Sequence, residues 1–229
     1  MISLKLSCSY VDDMLVRMAH HSTAIEGNTL TQYEAKCILL DGIIPRAMHE
    51  REFYEVKNYK KYMGFLIDNY PKGITIQLIK DTHSYLLQDI REDTGVFKTV
   101  HNIIVGTDFM PTEPCLVQLE LKNWCDTLEY RLNLSNTMEE KIEVIMEQHL
   151  RFERIHPFSD GNGRTGRALI VHSCLQQGIA PIIIHKSDRQ LYINLLSKLD
   201  IKGLTELGIR LSNEEQTRMK IINNAELEL

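Results

Sequence analysis

The sequence predicts an all-α fold, a helical bundle that carries one short β-hairpin. Nearly every segment repeats its apolar residues at helical period. Two Thr-x-x-Glu capping boxes, Thr31 with Glu34 and Thr137 with Glu140, mark helix starts ahead of apolar runs. Only "GVFKTVHNIIVG", Gly95 to Gly106, departs from the pattern. It is rich in β-branched residues, bounded by glycines, and reads as a strand or hairpin.

Taken in order, the helix begun at Thr31 buries Ala35, Ile38 and Leu39 and stops at Asp41-Gly42. Val56, Tyr59, Met63, Leu66 and Ile67 form one stripe. Ile76, Ile79, His83, Leu86, Leu87 and Ile90 form a second, and Val117, Leu121, Trp124, Leu128 and Leu132 a third. The helix capped by Thr137 places Ile142, Ile145, Met146, His149 and Leu150 on its buried face. "RTGRALIVHSCLQQG" is a helix that ends at Gly178, with Pro181 beyond. "RQLYINLLSKL" and "NEEQTRMKIINNAELEL" are also helical. His20 and His21 read as exposed polar residues, and His149 and Trp124 as core.

The chain has 229 residues, 43% hydrophobic, enough to bury a sizeable core. A formal charge of −5 argues against bulk nucleic-acid binding, which needs a basic surface. The five cysteines form no C-x-x-C pair and read as reduced structural residues. Asp12, Asp13 and Arg17 interrupt the N-terminal segment, so no signal peptide is expected, and no run approaches a membrane span. The expectation is a soluble cytoplasmic protein with no membrane partner.

Chemistry concentrates in "HPFSDGNGRTGR", His156 to Arg167. Pro157 drives its predecessor out of the α region, so one helix ends near His156, and the next begins near Asn162. The cluster is then a loop at a helix N-terminus, where free N–H groups and the helix dipole favour anions. Gly161 and Gly163 let the backbone approach a phosphate, and Asn162 adds an amide. Arg164 and Arg167 share one helix face and suit bidentate phosphate contacts. Asp160 would repel a bare phosphate but suits Mg²⁺ bridging two of them. His156 is the natural general base, and Phe158 an apolar anchor. Together these residues read as a nucleoside polyphosphate site beside a base. Singly, each has a structural reading; a glycine turn, a histidine before proline or a pair of arginines is common.

The stretch matches, at every position, the H-x-F-x-[DE]-G-N-G-R-x-x-R signature of the Fic family, which it resembles. "EQHLRFERI", "GVFKTVHNIIVG" and "SDRQLYINLL" are also similar to that family. The resemblance implies a single Fic-type domain over 1–229, with an inhibitory helix at about 10–28, a core at about 50–198 and a C-terminal helical extension at about 199–229. It implies ATP as substrate, Mg²⁺ as cofactor, and transfer of AMP to a Ser, Thr or Tyr hydroxyl of a target protein. In that scheme His156 deprotonates the hydroxyl and Asp160 holds the metal. Gly161, Asn162 and Gly163 form the anion hole, and Arg164 and Arg167 hold the outer phosphates. Tyr192 lies near the nucleoside. Related Doc-type kinases carry lysine where this chain has Gly163, so the glycine favours nucleotidyl transfer. The hairpin residues Val96, Phe97, Lys98, Thr99, Val100, His101, Asn102 and Ile103 would dock an extended target segment through strand pairing. Self-modification and a homodimer are left open.

"STAIEGN", Ser22 to Asn28, resembles the family's inhibitory motif [ST]-x-x-x-E-[GN]. Ser22 and Glu26 share a helix face, and Gly27 permits the turn that ends the helix. The Glu26 carboxylate could mimic a γ-phosphate and pair with Arg167. A de-AMPylating hydrolase using Glu26 at the same site remains an alternative. So does a silent nucleotide-binding module or antitoxin-like partner, which the intact His156 disfavours.

Overall fold

The computed structural model describes residues 6–102 and 110–227. Helix α1 (Cys8–Ile25) starts at Ser7, whose hydroxyl accepts from the Tyr10 N–H. The short α2 (Gln32–Lys36) carries the complete Thr31/Glu34 capping box and widens into a turn that Gly42 closes at φ 70°. Helices α3 (Glu50–Asn69) and α4 (Ile76–Leu87) pack side by side. Helix α5 (Val117–Leu134) comes next among the long helices. The Thr137/Glu140 capping box opens α6 (Met138–Ile155). Next come α7 (Asn162–Gln176), α8 (Arg189–Ser197) and α9 (Ile201–Leu227).

The organising element is α7. Asn162 and every residue from Arg164 to Leu175 are buried, as expected of a helix without a polar stripe. Its Leu169, Ile170 and Cys174 face one core, shared with Trp124, Ile145, Phe152 and Leu207. Its Ala168, Val171 and Leu175 face a second, shared with Met14, Tyr59, Tyr62 and Leu87. The site loop at its N-terminus is therefore held from both sides. All five cysteines are free, and no described helix is long and apolar enough to cross a membrane.

The expected β-hairpin is not seen in its described part, residues 95–102. Among the described residues there is no strand, and 91–102 is irregular chain with turns; Ile103 lies outside the described residues. The polar groups explain why. The Gly95 N–H donates to His83 Nδ1 at 2.8 Å, and the Val96 N–H closes a turn on Asp93. The Lys98 N–H donates to the Pro157 carbonyl at 2.9 Å. Composition favoured pairing, but these donors go to a side chain, a local turn and the site loop instead. Phe97 turns inward against Phe158, while Val96 and Val100 are exposed. Lys98 is buried, not displayed on an edge.

Helix α1 is clamped by α9. Arg17 donates to both oxygens of Glu215 at 2.6 and 2.5 Å and to Asp13 at 2.7 Å. The Tyr10 hydroxyl donates to Glu215, and Arg218 reaches Asp13 from α9. His20, expected to be exposed, is buried with Nδ1 3.0 Å from the Leu30 carbonyl. Glu215→Ala should lower stability by about 3 kcal/mol, because it strands a buried guanidinium. For a chain of this length that is roughly a 10 °C fall in the calorimetric midpoint. Arg218→Ala, at the solvated rim, should cost under about 1 kcal/mol in the same scans.

Candidate active site

Helix α6 ends at His156 in the left-handed region, φ 49° and ψ 61°. Pro157 excludes the right-handed α region there, and a non-glycine residue in this conformation is strained. The His156 N–H still closes on the Phe152 carbonyl at 3.0 Å. Nδ1 lies 3.2 Å from the Glu153 carbonyl. A carbonyl can only accept, so Nδ1 carries the proton and Nε2 keeps a free lone pair. Burial is the main force pushing the imidazole pKa down, with the Lys98 charge adding to it and the Glu153 carbonyl opposing, to about 4. His156 is thus a neutral acceptor at pH 7, as a general base must be.

The loop after it is rigidly tied. Phe158 is fully buried and stacks on His83 at 3.8 Å between ring centres. Asn162 Oδ1 accepts the Phe158 N–H at 2.8 Å, and its Nδ2 donates to the Phe158 carbonyl at 2.8 Å. The Asn162 amide, expected to face an anion, is spent closing the loop. Asn102 adds a second donor to the Phe158 carbonyl at 2.9 Å. Gly161 sits at φ 76°, and a Cβ there would come within 2.6 Å of the Leu87 side chain. Conformation and space both demand glycine at that point. His83 Nδ1 accepts from the Gly95 N–H, so its Nε2–H donates to the Asp160 carbonyl at 3.0 Å.

Asp160 and Arg164 belong to a network with Arg51 and Glu55 of α3, which the sequence did not disclose. Asp160 Oδ2 accepts from Arg51 Nη2 at 2.9 Å, and Oδ1 accepts the Gly161 N–H at 2.6 Å. Glu55 Oε1 accepts from Arg51 Nε at 3.0 Å and from Arg164 Nη1 at 3.2 Å. Burial raises the Asp160 pKa, but Arg164, the Gly161 N–H and Arg51 outweigh it and hold it below the ordinary range. Arg164 is only 2% exposed, so its charge lies under the loop. An ionised, one-third exposed carboxylate fits Mg²⁺, which binds through one or two carboxylates and otherwise takes water and phosphate oxygens. No group of three His, Cys, Asp or Glu that could hold a metal exists among the described residues.

Arg167 is where the two distant sequence fragments meet. Its Nε donates to Ser22 Oγ at 3.0 Å, and Nη2 donates to the Ser22 carbonyl at 3.0 Å and to Glu26 Oε1 at 2.6 Å. Glu26 caps α1, and Gly27 follows at φ 104°, a turn only glycine makes without strain. Asn28 then ties the turn to Glu55 Oε2 at 3.0 Å and to the Glu52 carbonyl. Burial raises the Glu26 pKa, but the Arg167 charge and hydrogen bond outweigh it and keep the carboxyl ionised well below its ordinary value. A Cβ at Gly163 would lie 2.5 Å from Glu26 Oε1 and 2.9 Å from Arg167 Nη1. The missing side chain is what lets this pair rest on the loop.

Tyr192 is buried, its hydroxyl 2.7 Å from His149 Nε2. On the other side of His149 stands Glu153, whose carboxyl burial pushes up to about 7 while Arg167 opposes. A Cβ at Gly166 would come within 2.3 Å of Glu153 Oε1 and 3.0 Å of the His149 ring. Arg51 and Glu55 carry no local sequence signal for the site, because Asp160 and Arg164 lie far away in the chain; Asn102, expected on a docking edge, instead holds the Phe158 carbonyl.

Residues 73–174 match the Fic/DOC family. Protein adenylyltransferase fic-1 of Caenorhabditis elegans is 30% identical over 76% of this chain, which spans 34% of that relative. Thus the chain covers about a third of the length of such curated relatives. A Caenorhabditis elegans Fic-1 fragment with a glutamate-to-glycine substitution superposes with a TM-score of 0.79 at 25% identity, covering 96% of this chain and 67% of that one. A Fic-domain-containing signaling protein from Bacteroides thetaiotaomicron shares the fold, with a TM-score of 0.79 at 21% identity over 92% of this chain and 87% of that one.

The pairing with Arg167 should be visible as a titration. By carboxyl NMR, Glu26 should lose its charge only below the ordinary glutamate range, and in Arg167→Met its midpoint should move upward. An unchanged midpoint in the variant would mean that the ion pair does not form in solution.

Proposed function

The chain carries a domain of the Fic/DOC family, and on that premise we propose that it is an autoinhibited protein adenylyltransferase. It would pass AMP from ATP to a hydroxyl of a target protein. The observation that supports this reading best is the meeting of a neutral imidazole, a glycine-lined helix entrance and two arginines of that helix's first turns.

In this scheme the triphosphate lies along the N-terminus of α7, where backbone N–H groups and the helix dipole favour it. His156 Nε2 takes the proton from the target hydroxyl as its oxygen attacks the α-phosphorus. The bond to the bridging oxygen breaks, AMP stays on the target, and pyrophosphate leaves. Arg167 holds the γ-phosphate. Arg164 supplies positive charge from beneath and fixes Asp160. Asp160 would hold Mg²⁺ once Arg51 swings aside; the ion would offset charge on the leaving pyrophosphate. Tyr192 and His149 would line the nucleoside side of the pocket. The exposed Val96, Thr99, Val100 and His101 would meet the target segment, while Phe97, Lys98 and Asn102 belong to the support of the loop.

Inhibition follows from competition. Arg167 Nη2 is bound by Glu26, so the guanidinium cannot serve a γ-phosphate at the same time. The pair is partly exposed at Glu26, which tempers its strength, yet the buried guanidinium would lose its partner if the glutamate left alone. Inhibition would be in cis, because α1 is part of the same chain. Turnover of AMP back off the target, with Glu26 orienting water, would use the same contact in reverse.

With labelled ATP, Mg²⁺ and cell lysate, Glu26→Gly should label proteins, itself included, about a hundredfold more than the unsubstituted chain. His156→Ala in that background should abolish labelling. Equal labelling with and without Glu26 removes the inhibitory role. Glu26-dependent release of AMP from a pre-labelled target would favour the hydrolase.

A further inference from the structure

We propose that Lys98 is a positioning residue for the catalytic imidazole. It pins the main chain on both sides of His156, and its ammonium adds positive charge near that ring. The inference rests on the reading of His156 as general base. The backbone N–H of Lys98 donates to the carbonyl of Pro157, just after His156, at 2.9 Å. Its ammonium donates to the carbonyl of Ile155, just before His156, at 3.3 Å. The same ammonium donates to Asn102 Oδ1 at 2.8 Å, and Asn102 Nδ2 donates in turn to the Phe158 carbonyl at 2.9 Å. One lysine and its amide partner thus hold three carbonyls, of Ile155, Pro157 and Phe158, around the strained turn that carries His156.

A lysine 4% exposed is an unusual staple. A neutral donor could hold the Ile155 carbonyl as well, so the retained cation calls for a separate role. The groups acting on His156 supply one. From its own helix the Glu153 carbonyl faces it; from the end of α1, the Glu26 carboxylate; from the loop, the Asp160 carboxylate; from the irregular segment, Lys98. The two carboxylates favour a protonated ring, and Lys98 opposes them. Burial lowers the Lys98 pKa to about 8, which still leaves it charged at pH 7. Once Glu26 moves away and a polyphosphate arrives, negative charge near the ring rises further, and the lysine is the cation already in place to offset it.

The test separates this role from simple stapling and from the transferase reading. Side-chain NMR of His156 is followed against pH in the unsubstituted chain and in Lys98→Met, Lys98→Gln and Lys98→Arg. The midpoint should move up by about half a pH unit or more in Lys98→Met and Lys98→Gln, and stay near its original value in Lys98→Arg. Lys98→Gln can still donate to the Ile155 carbonyl, so it isolates the charge and covers any folding defect of Lys98→Met. In the Glu26→Gly background at pH 7, kcat should fall in Lys98→Met, which loses the donor to the Ile155 carbonyl, and stay within about twofold in Lys98→Gln, which keeps it, with KM for ATP within about twofold in both. The acid limb of the pH profile should shift upward with the ring, and Lys98→Arg should restore both. Unchanged His156 midpoints in both folded neutral variants overturn the proposal. If no chain transfers AMP, the transferase reading fails while the titration still decides the role of Lys98.

Discussion

The contact on which the rest of the site depends is the guanidinium of Arg167 held by the end of α1. Three donations, to Ser22 Oγ, the Ser22 carbonyl and Glu26 Oε1, are made by Nε and Nη2. Arg167 comes from a helix buried on every side, so its charge must be answered by something nearby. In the proposed scheme that answer is either a carboxylate or a phosphate. The alternation is a physical necessity and not only an arrangement of convenience: a buried cation tolerates exchange of partners far better than loss of one.

Several otherwise separate features serve that contact. The Arg17–Glu215 pair and its neighbours bind α1 to α9 along its length. Arg189 Nε donates to the Ile25 carbonyl at 2.8 Å, holding the last turn of α1 from α8. Gly27 turns the chain, and Asn28 carries it to Glu55, which also holds Arg164. Release of Glu26 therefore touches a connected set of charges. A signal that loosened α9 or the Glu55 network would reach Arg167 through bonds already in place.

The sequence disclosed what local rules govern. Both capping boxes formed, α6 ended at His156, α7 began at Asn162, and the apolar stripes were buried except for Ile67, Ile76 and Ile90, which are half-buried. Proline, glycine and threonine act on neighbours within a few residues, so their effects are legible without a fold. The meeting of Ser22 and Glu26 with Arg167 was legible only through the family resemblance, since no spacing rule links positions 145 and 141 residues apart. Arg51 with Asp160 and Arg17 with Glu215 had no signal at all. The segment after Gly95 misled because β-branched composition says what a chain favours, not where its N–H groups find acceptors. There the acceptors were His83 Nδ1, the Asp93 carbonyl and the Pro157 carbonyl, and they drew the chain onto the loop. For the same reason Lys98, expected on a docking edge, lies buried against the turn that carries the imidazole.

The central claim is that Glu26 and a γ-phosphate exclude one another at Arg167. The most direct measurement is ³¹P NMR of a non-hydrolysable ATP analogue with Mg²⁺, added to the unsubstituted chain and to Glu26→Gly. The account expects the γ-phosphate resonance to shift and broaden on binding Glu26→Gly, and to stay close to its free position with the unsubstituted chain even where the adenine is bound. The same γ-phosphate shift in both proteins would contradict it.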